Sequence, residues 1–248
     1  MNADIAIRFD RVSKSFDGRK VLDAVSFDVE LHKGFCILGR SGTGKSVTLK
    51  QMIGLIRPDS GGIFINGENL STLDSRGVNR VRKQMGFLFQ YSALFDSISV
   101  GENVAFPLRR HTTLKESEIS TRVGELLSQV GLEQHRRKMP SAISGGMQKR
   151  VGLARAMALN PSMLLVDEPS SGLDPVTALE IDDLLLNLKQ TLGTTLVVVT
   201  HNIPSARKLG DTLAFLHEGT ILDSGTPAQL ENSRHALVRQ FMSVHGGT

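Results

Sequence analysis

The sequence predicts an α/β protein with a mostly parallel sheet and a helical insert, and three observations predict it. A buried apolar strand, Phe35–Leu38, runs into a glycine-rich loop and then a helix. A second apolar strand, Met163–Val166, ends in two carboxylates. Between the two, residues 114–158 carry helical rather than strand periodicity.

In chain order, Ile5–Phe9 and Val25–Val29 read as strands separated by a turn at Asp17-Gly18. The helix after the loop places Leu49, Met52, Ile53 and Ile56 on one side and stops before Pro58. Ile119, Val123, Leu126, Leu127 and Val130 recur at helical spacing, and another apolar helix starts after Gly145-Gly146. A helix from Val176 to about Leu192 and a strand Leu196–Val199 follow. The tail reads as a hairpin, Leu213–His217 and Thr220–Asp223 around Glu218-Gly219, then a short helix.

Composition narrows the class. The 248 residues are 40% hydrophobic and 22% charged, as in ordinary globular domains. The single cysteine, Cys36, allows no internal disulfide, which fits a reducing compartment. The start MNADIAIRFD lacks the apolar core of a secretory leader, so none is expected. No apolar run approaches the ~18 residues of a membrane span. The net charge of +4 is scattered, and its local clusters read as solvated helix ends, so no nucleic-acid partner is expected.

The loop Gly39-Arg40-Ser41-Gly42-Thr43-Gly44-Lys45-Ser46 matches GxxxxGK[ST] at every defined position. Glycines let backbone N–H groups approach phosphate oxygens, and the helix that follows adds its positive end. Lys45 is expected to reach the β- and γ-phosphates, and Ser46 to ligate Mg²⁺. With glycine near 7% of residues, chance would supply this pattern in roughly 1% of such chains. The flanking strand and helix lower that further. Asp167, at a buried strand end, is the expected second Mg²⁺ ligand, and Glu168 the base that polarises water. Ser144-Gly145-Gly146-Met147-Gln148 forms a second anion-binding helix start. One chain hardly needs two such ends for one nucleotide.

At this point the sequence resembles the ATP-binding cassette family, whose LSGGQ signature appears as Ile143-Ser144-Gly145-Gly146-Met147. The other family elements follow in order: Phe16 where an aromatic stacks on adenine, Gln90 as the Q-loop glutamine, Ser171-Gly172-Leu173-Asp174 as the D-loop, and His201 as the switch histidine. The resemblance implies one cassette over residues 1–248. Its P-loop NTPase (RecA-like) core, with an N-terminal antiparallel β subdomain, would take residues 1–90 and 160–235. A helical subdomain would take 91–159 and a tail 236–248. ATP would be held by Phe16, Gly39 through Val47, Ser144, Gly145, Gly146 and Asp174, and Mg²⁺ by Ser46, Gln90 and Asp167. Glu168, His201 and Gln90 would be catalytic. The resemblance further implies a head-to-tail homodimer, with each ATP between one P-loop and the partner's Ser144–Gly146, working through a separate permease.

Leu88–Phe95 leading into Asn103–Thr112, Val47 after the loop serine, Met147, and Val238-Arg239-Gln240-Phe241 resemble the Mla/Mce-type lipid-transport ATPases. That branch implies an MCE-type substrate-binding protein, a small accessory subunit and a place on the cytoplasmic face of the inner membrane. Tyr91, Leu94 and Phe95 become expected permease contacts. The alternative is an importer of amino acids or another small solute. Nucleic-acid-acting members carry two cassettes or a long coiled coil, which this chain lacks. An inactive cassette is opposed by intact Lys45, Gln90, Asp167, Glu168 and His201.

Overall fold

The computed structural model describes residues 4–243. In chain order it contains β1 (Ile5–Phe16), β2 (Arg19–Glu30), β3 (Gly34–Leu38), α1 (Lys45–Met52), β4 (Ser60–Ile65), β5 (Glu68–Asn69), α2 (Ser75–Arg82) and β6 (Met85–Leu88). Three helices follow: α3 (Val100–His111), α4 (Glu116–Gln129) and α5 (Gly145–Ala156). The chain then returns through β7 (Met163–Asp167), α6 (Pro175–Leu192), β8 (Thr195–Thr200), α7 (Ile203–Leu209), β9 (Thr212–His217) and β10 (Thr220–Gly225), and ends in α8 (Pro227–Glu231) and α9 (Ala236–Ser243).

Six strands form one sheet in the order β10-β9-β3-β8-β7-β6, and every pair is parallel except β10 with β9. Four more form an antiparallel sheet, β2-β1-β4-β5. The parallel strands are apolar on both faces because both are covered. Alternate residues divide between two cores: Leu38, Val166 and Val198 face the helices, while Ile37, Leu165 and Val197 face α1 and the antiparallel sheet. Each such side chain contributes about 1.5–3 kcal/mol on burial. Exposed ion pairs such as Arg8–Asp28 are screened by water and add little beside this. Burial on the two faces of the parallel sheet therefore governs the fold.

Several readings change. Strands β1 and β2 are twelve residues each, longer than their apolar centres suggested, and meet at Asp17-Gly18, both with positive φ (48° and 78°) as a tight hairpin turn requires. Helix α1 ends at Met52, because Gly54 turns left-handed (φ 66°); Ile53 only caps it and Ile56 lies beyond. Helix α3 lies within the 91–159 expected to be helical but before residue 114, where the sequence reading starts the helical periodicity. Its Val100, Val104, Ala105 and Leu108 are buried at helical spacing, but Pro107 sits inside the helix and hides it from a sequence reading. The insert is also interrupted, with irregular chain between α4 and α5. Of the tail 236–248, residues 236–243 form α9, and 244–248 lie outside the described residues, as do 1–3. No helix among the described residues is long and apolar enough to cross a membrane.

Candidate nucleotide site

The carboxyl ends of β3, β7 and β8 lie side by side, which is where parallel sheets place their ligand crevice. The loop leaving β3 turns into α1 at Gly44, whose φ of 104° is left-handed. A Cβ there would also press on Leu22 at 2.9 Å and on the Val21 carbonyl at 3.1 Å. Only glycine satisfies both constraints. The loop then curls around Lys45, which is 6% exposed, and its Nζ donates to the carbonyls of Gly39 (2.9 Å) and Arg40 (3.0 Å). Burial holds the Lys45 pKa below its ordinary value, and the nearby Glu168 carboxylate, 3.6 Å away, partly offsets that.

One residue on, Ser46 Oγ donates to Asp167 Oδ1 at 3.0 Å, joining the first turn of α1 to the end of β7. Burial raises the Asp167 pKa, and the Ser46 bond opposes the rise. A hydroxyl beside a carboxylate suits a magnesium ion, which takes one or two protein oxygens and completes its shell with water and phosphate. Among the described residues no cluster of three His, Cys, Asp or Glu forms an all-protein metal cage. The donor set therefore fits a cation shared with a phosphate ligand.

Glu168 is held from all sides. Its side chain is buried, and Oε2 accepts from Thr200 Oγ1 (3.1 Å), His201 Nδ1 (3.0 Å) and the His201 amide (3.4 Å). Its own amide donates to the Val199 carbonyl at 2.9 Å. Its backbone is left-handed, with φ of 47°. For a residue with a side chain this costs on the order of 1–3 kcal/mol, which the surrounding bonds must sustain. Gln90 stands opposite, donating from Nε2 to Ser171 Oγ at 3.2 Å.

Of these groups Lys45, Ser46, Gln90, Glu168 and His201 line a cavity of about 560 Å³ with Arg40, Ser41, Gly42, Gly44 and Val47, and Val21 and Phe241 close its sides. Gly39 and Asp167 are not in its wall, Asp167 being joined to it through Ser46. The structure does not bring every expected residue there. Phe16 lies at the β1–β2 hairpin, 41% exposed, with Lys14 Nζ 5.3 Å from its ring centre, and is not part of the cavity wall. Asp174 caps α6, accepting from the amides of Val176 (3.1 Å) and Thr177 (3.0 Å). Ser144 and Gly145 are exposed at the start of α5, where Ser144 Oγ accepts from the Met147 amide. Thr43 Oγ1 is spent on the Arg40 carbonyl.

Other residues emerge only from the fold. Asn103 is wholly buried and clamps the loop after Gln90: its Oδ1 accepts from the Phe95 amide at 2.8 Å and its Nδ2 faces the carbonyls of Phe95, Ile98 and Ser99. Arg155 donates to the carbonyls of Ser92 and Ala93 in the same loop. Lys149, on the buried side of α5, donates to the Glu168 carbonyl at 2.8 Å. Its spacing offered a signal: it follows buried Gly146 by three residues and precedes buried Leu153 by four.

Comparison with known proteins agrees with this geometry. Residues 22–171 match the model of the ABC transporter family. A Mycobacterium leprae protein named as a probable ribonucleotide transport ATP-binding protein, mkl, is 41% identical over 98% of this chain and 70% of its own length. A methionine import ATP-binding protein, MetN, of Xanthomonas euvesicatoria pv. vesicatoria is 38% identical over 96% of this chain and 72% of its own. Among solved structures, the dimeric cassette MJ0796 bound to ADP and Pi superposes with TM-score 0.83 at 31% identity, over 89% of this chain and 98% of that one. CbiO1 of Clostridium perfringens, part of a cbiONQ transporter complex, gives TM-score 0.85 at 28% identity over 98% and 96%. With the phosphate loop, the paired carboxylates and these likenesses together, the chain belongs to the ABC transporter family as an ATP-hydrolysing subunit that uses Mg²⁺.

Proposed function

We propose that this subunit forms a head-to-tail homodimer with two composite ATP sites and powers lipid movement across the bacterial envelope through a separate permease. The meeting of Lys45, Ser46, Glu168, Gln90 and His201 around one cavity, with Asp167 bonded to Ser46 behind it, carries the chemical half of this reading. Lys45 and the loop amides bind the phosphates, and Ser46, Asp167 and Gln90 hold the cation. Magnesium supplies neutralisation of charge developing on the transferred phosphoryl group. Glu168, kept in place by Thr200 and His201, accepts the proton of the attacking water. Phe16 takes the adenine at the rim. Ser144, Gly145, Gly146 and Asp174 serve the partner's nucleotide rather than their own chain's, in keeping with their absence from the wall of this cavity.

The lipid assignment rests on the resemblance of Leu88–Phe95, Asn103–Thr112, Val47, Met147 and Val238–Phe241 to the Mla/Mce-type ATPases. An MCE-type partner, an accessory subunit and a place on the cytoplasmic membrane face follow from it. The names of the relatives point to ribonucleotides and methionine, and the MetN likeness supports the second reading, a small-solute importer. Permease docking is assigned to the cleft beside the Gln90 loop, where Phe95 (44% exposed) and Phe106 (47% exposed) pack at 4.8 Å. Tyr91 is also exposed, whereas Leu94, expected as a contact, packs partly against the helical core. Purification from membranes followed by mass spectrometry of attached proteins and lipids tests the whole assignment. An MCE-type protein and phospholipid are expected; a soluble amino-acid receptor would replace lipid with the importer reading. Tyr91→Asp with Phe95→Asp should release the permease and spare soluble ATPase activity, and permease recovered at wild-type yield would refute the docking site.

A further inference from the structure

Lys149 has no part in the chemistry above, yet it is 4% exposed and its ammonium is aimed at the backbone carbonyl of Glu168. The Glu168 carboxylate is taken by Thr200 and His201, and the amide by Val199; the carbonyl accepts from Lys149 Nζ at 2.8 Å and from the Ser171 amide at 3.2 Å. A buried ammonium is costly unless it is bonded to a fixed partner. Here the partner is the backbone of a residue held left-handed, at φ 47°, where a small rotation would swing the carboxylate out of line. Lys149 also lies five residues beyond Ser144 on the same α5, whose start is exposed while its body is buried against the core. A movement of that helix end can therefore reach the residue that acts on water through the Lys149 side chain.

We propose that Lys149 is a positioning residue coupling the two sites of the dimer: when Ser144–Gly146 of a chain engage the partner's nucleotide, α5 and Lys149 set the Glu168 of their own chain at the other site. This rests on the composite-site reading above. In the homodimer, Lys149→Met should lower kcat about 10- to 100-fold, the scale of displacing a catalytic group by about an ångström, with KM for ATP nearly unchanged. Lys149→Arg, which keeps an N–H donor, should recover much of the rate. Thermal melting separates this from a folding defect; should Lys149→Met fail to fold, the Arg variant and Lys149→Gln carry the same kcat-against-KM comparison.

A mixed dimer decides the route. With Glu168→Gln in one chain, that chain's site holds nucleotide without turning it over, and only the site built on the other chain's Lys45 and Glu168 can turn over. Lys149→Met placed in that other chain should cut the remaining rate, and placed in the Glu168→Gln chain should leave most of it. Equal loss from both placements, or loss from the Glu168→Gln chain alone, would show Lys149 merely propping the helix start and would overturn the proposal. So would a homodimer with unchanged kcat. A Ser144→Arg dimer with undiminished activity would instead defeat the composite-site reading, and Lys149 would then stand or fall on the homodimer alone.

Discussion

Helices α1 and α5 begin alike, with glycine at or beside the first turn and amides directed outward, but their surroundings differ. The start of α1 carries a buried cation and a hydroxyl and opens onto strand ends that supply the carboxylate bonded to that hydroxyl at 3.0 Å and a second carboxylate gripped by Thr200 and His201. At the start of α5, Ser144 and Gly145 face solvent, and none of these groups meets them. A helix end attracts an anion in either case. Chemistry needs the converging side chains, so α1 carries a site and α5 carries the missing wall of another.

The largest effect that would break this contrast is at Lys45. Lys45→Ala removes the only buried cation facing the cavity from the phosphate loop and should cut ATP turnover about 10³-fold, the upper range for losing one preorganised donor. Equilibrium binding of labelled ATP to the monomer should weaken with it. Ser144→Arg should abolish turnover while monomer binding persists. If Ser144→Arg weakened monomer binding as severely as Lys45→Ala, the two helix starts would serve one nucleotide and the contrast would collapse.

Glu168→Gln comes next. The amide preserves the shape of the side chain and can still face Thr200, but accepts no proton. Turnover should fall about 10²- to 10³-fold, within the range for general-base removal. ATP binding should survive, and a nucleotide-bridged dimer should accumulate in gel filtration. Turnover near the wild-type rate would move the base elsewhere.

How much of this was readable beforehand depended on distance along the chain. The loop Gly39–Ser46 and the pair Asp167-Glu168 are contiguous, and their chemistry is written in residue type and spacing. Gln90 and His201 carried meaning only as members of an ordered set, and the fold brings both to the same cavity. Lys149 and Thr200 reach Glu168 across 19 and 32 residues, so only the sheet and α5 reveal them. Asn103 escaped because a polar side chain in an apolar run reads as exposed, whereas here it replaces the backbone bonds of an irregular loop. Helix α3 was masked by Pro107, and the end of α1 by an apolar spacing that continues past Gly54 although the helix does not.

The finest test lies between two adjacent glycines of α5. A Cβ on Gly146 would stand 2.5 Å from Thr177 Cγ2 of α6, so this glycine is required by packing within its own chain. Gly146→Ala should lower stability by about 1–3 kcal/mol, the range for overpacking, as read by denaturant unfolding of the monomer. A Cβ on Gly145 would meet nothing within 4 Å. Gly145→Ala should therefore leave the monomer as stable or stabilise it by up to about 1 kcal/mol, since alanine favours a helix over glycine. If a partner's nucleotide approaches α5 at this point, the same added methyl group intrudes between two molecules, and ATP turnover should drop about tenfold without loss of fold. Full activity in Gly145→Ala would mean that nothing approaches α5 closely there, and that the glycine pair is explained by Thr177 alone.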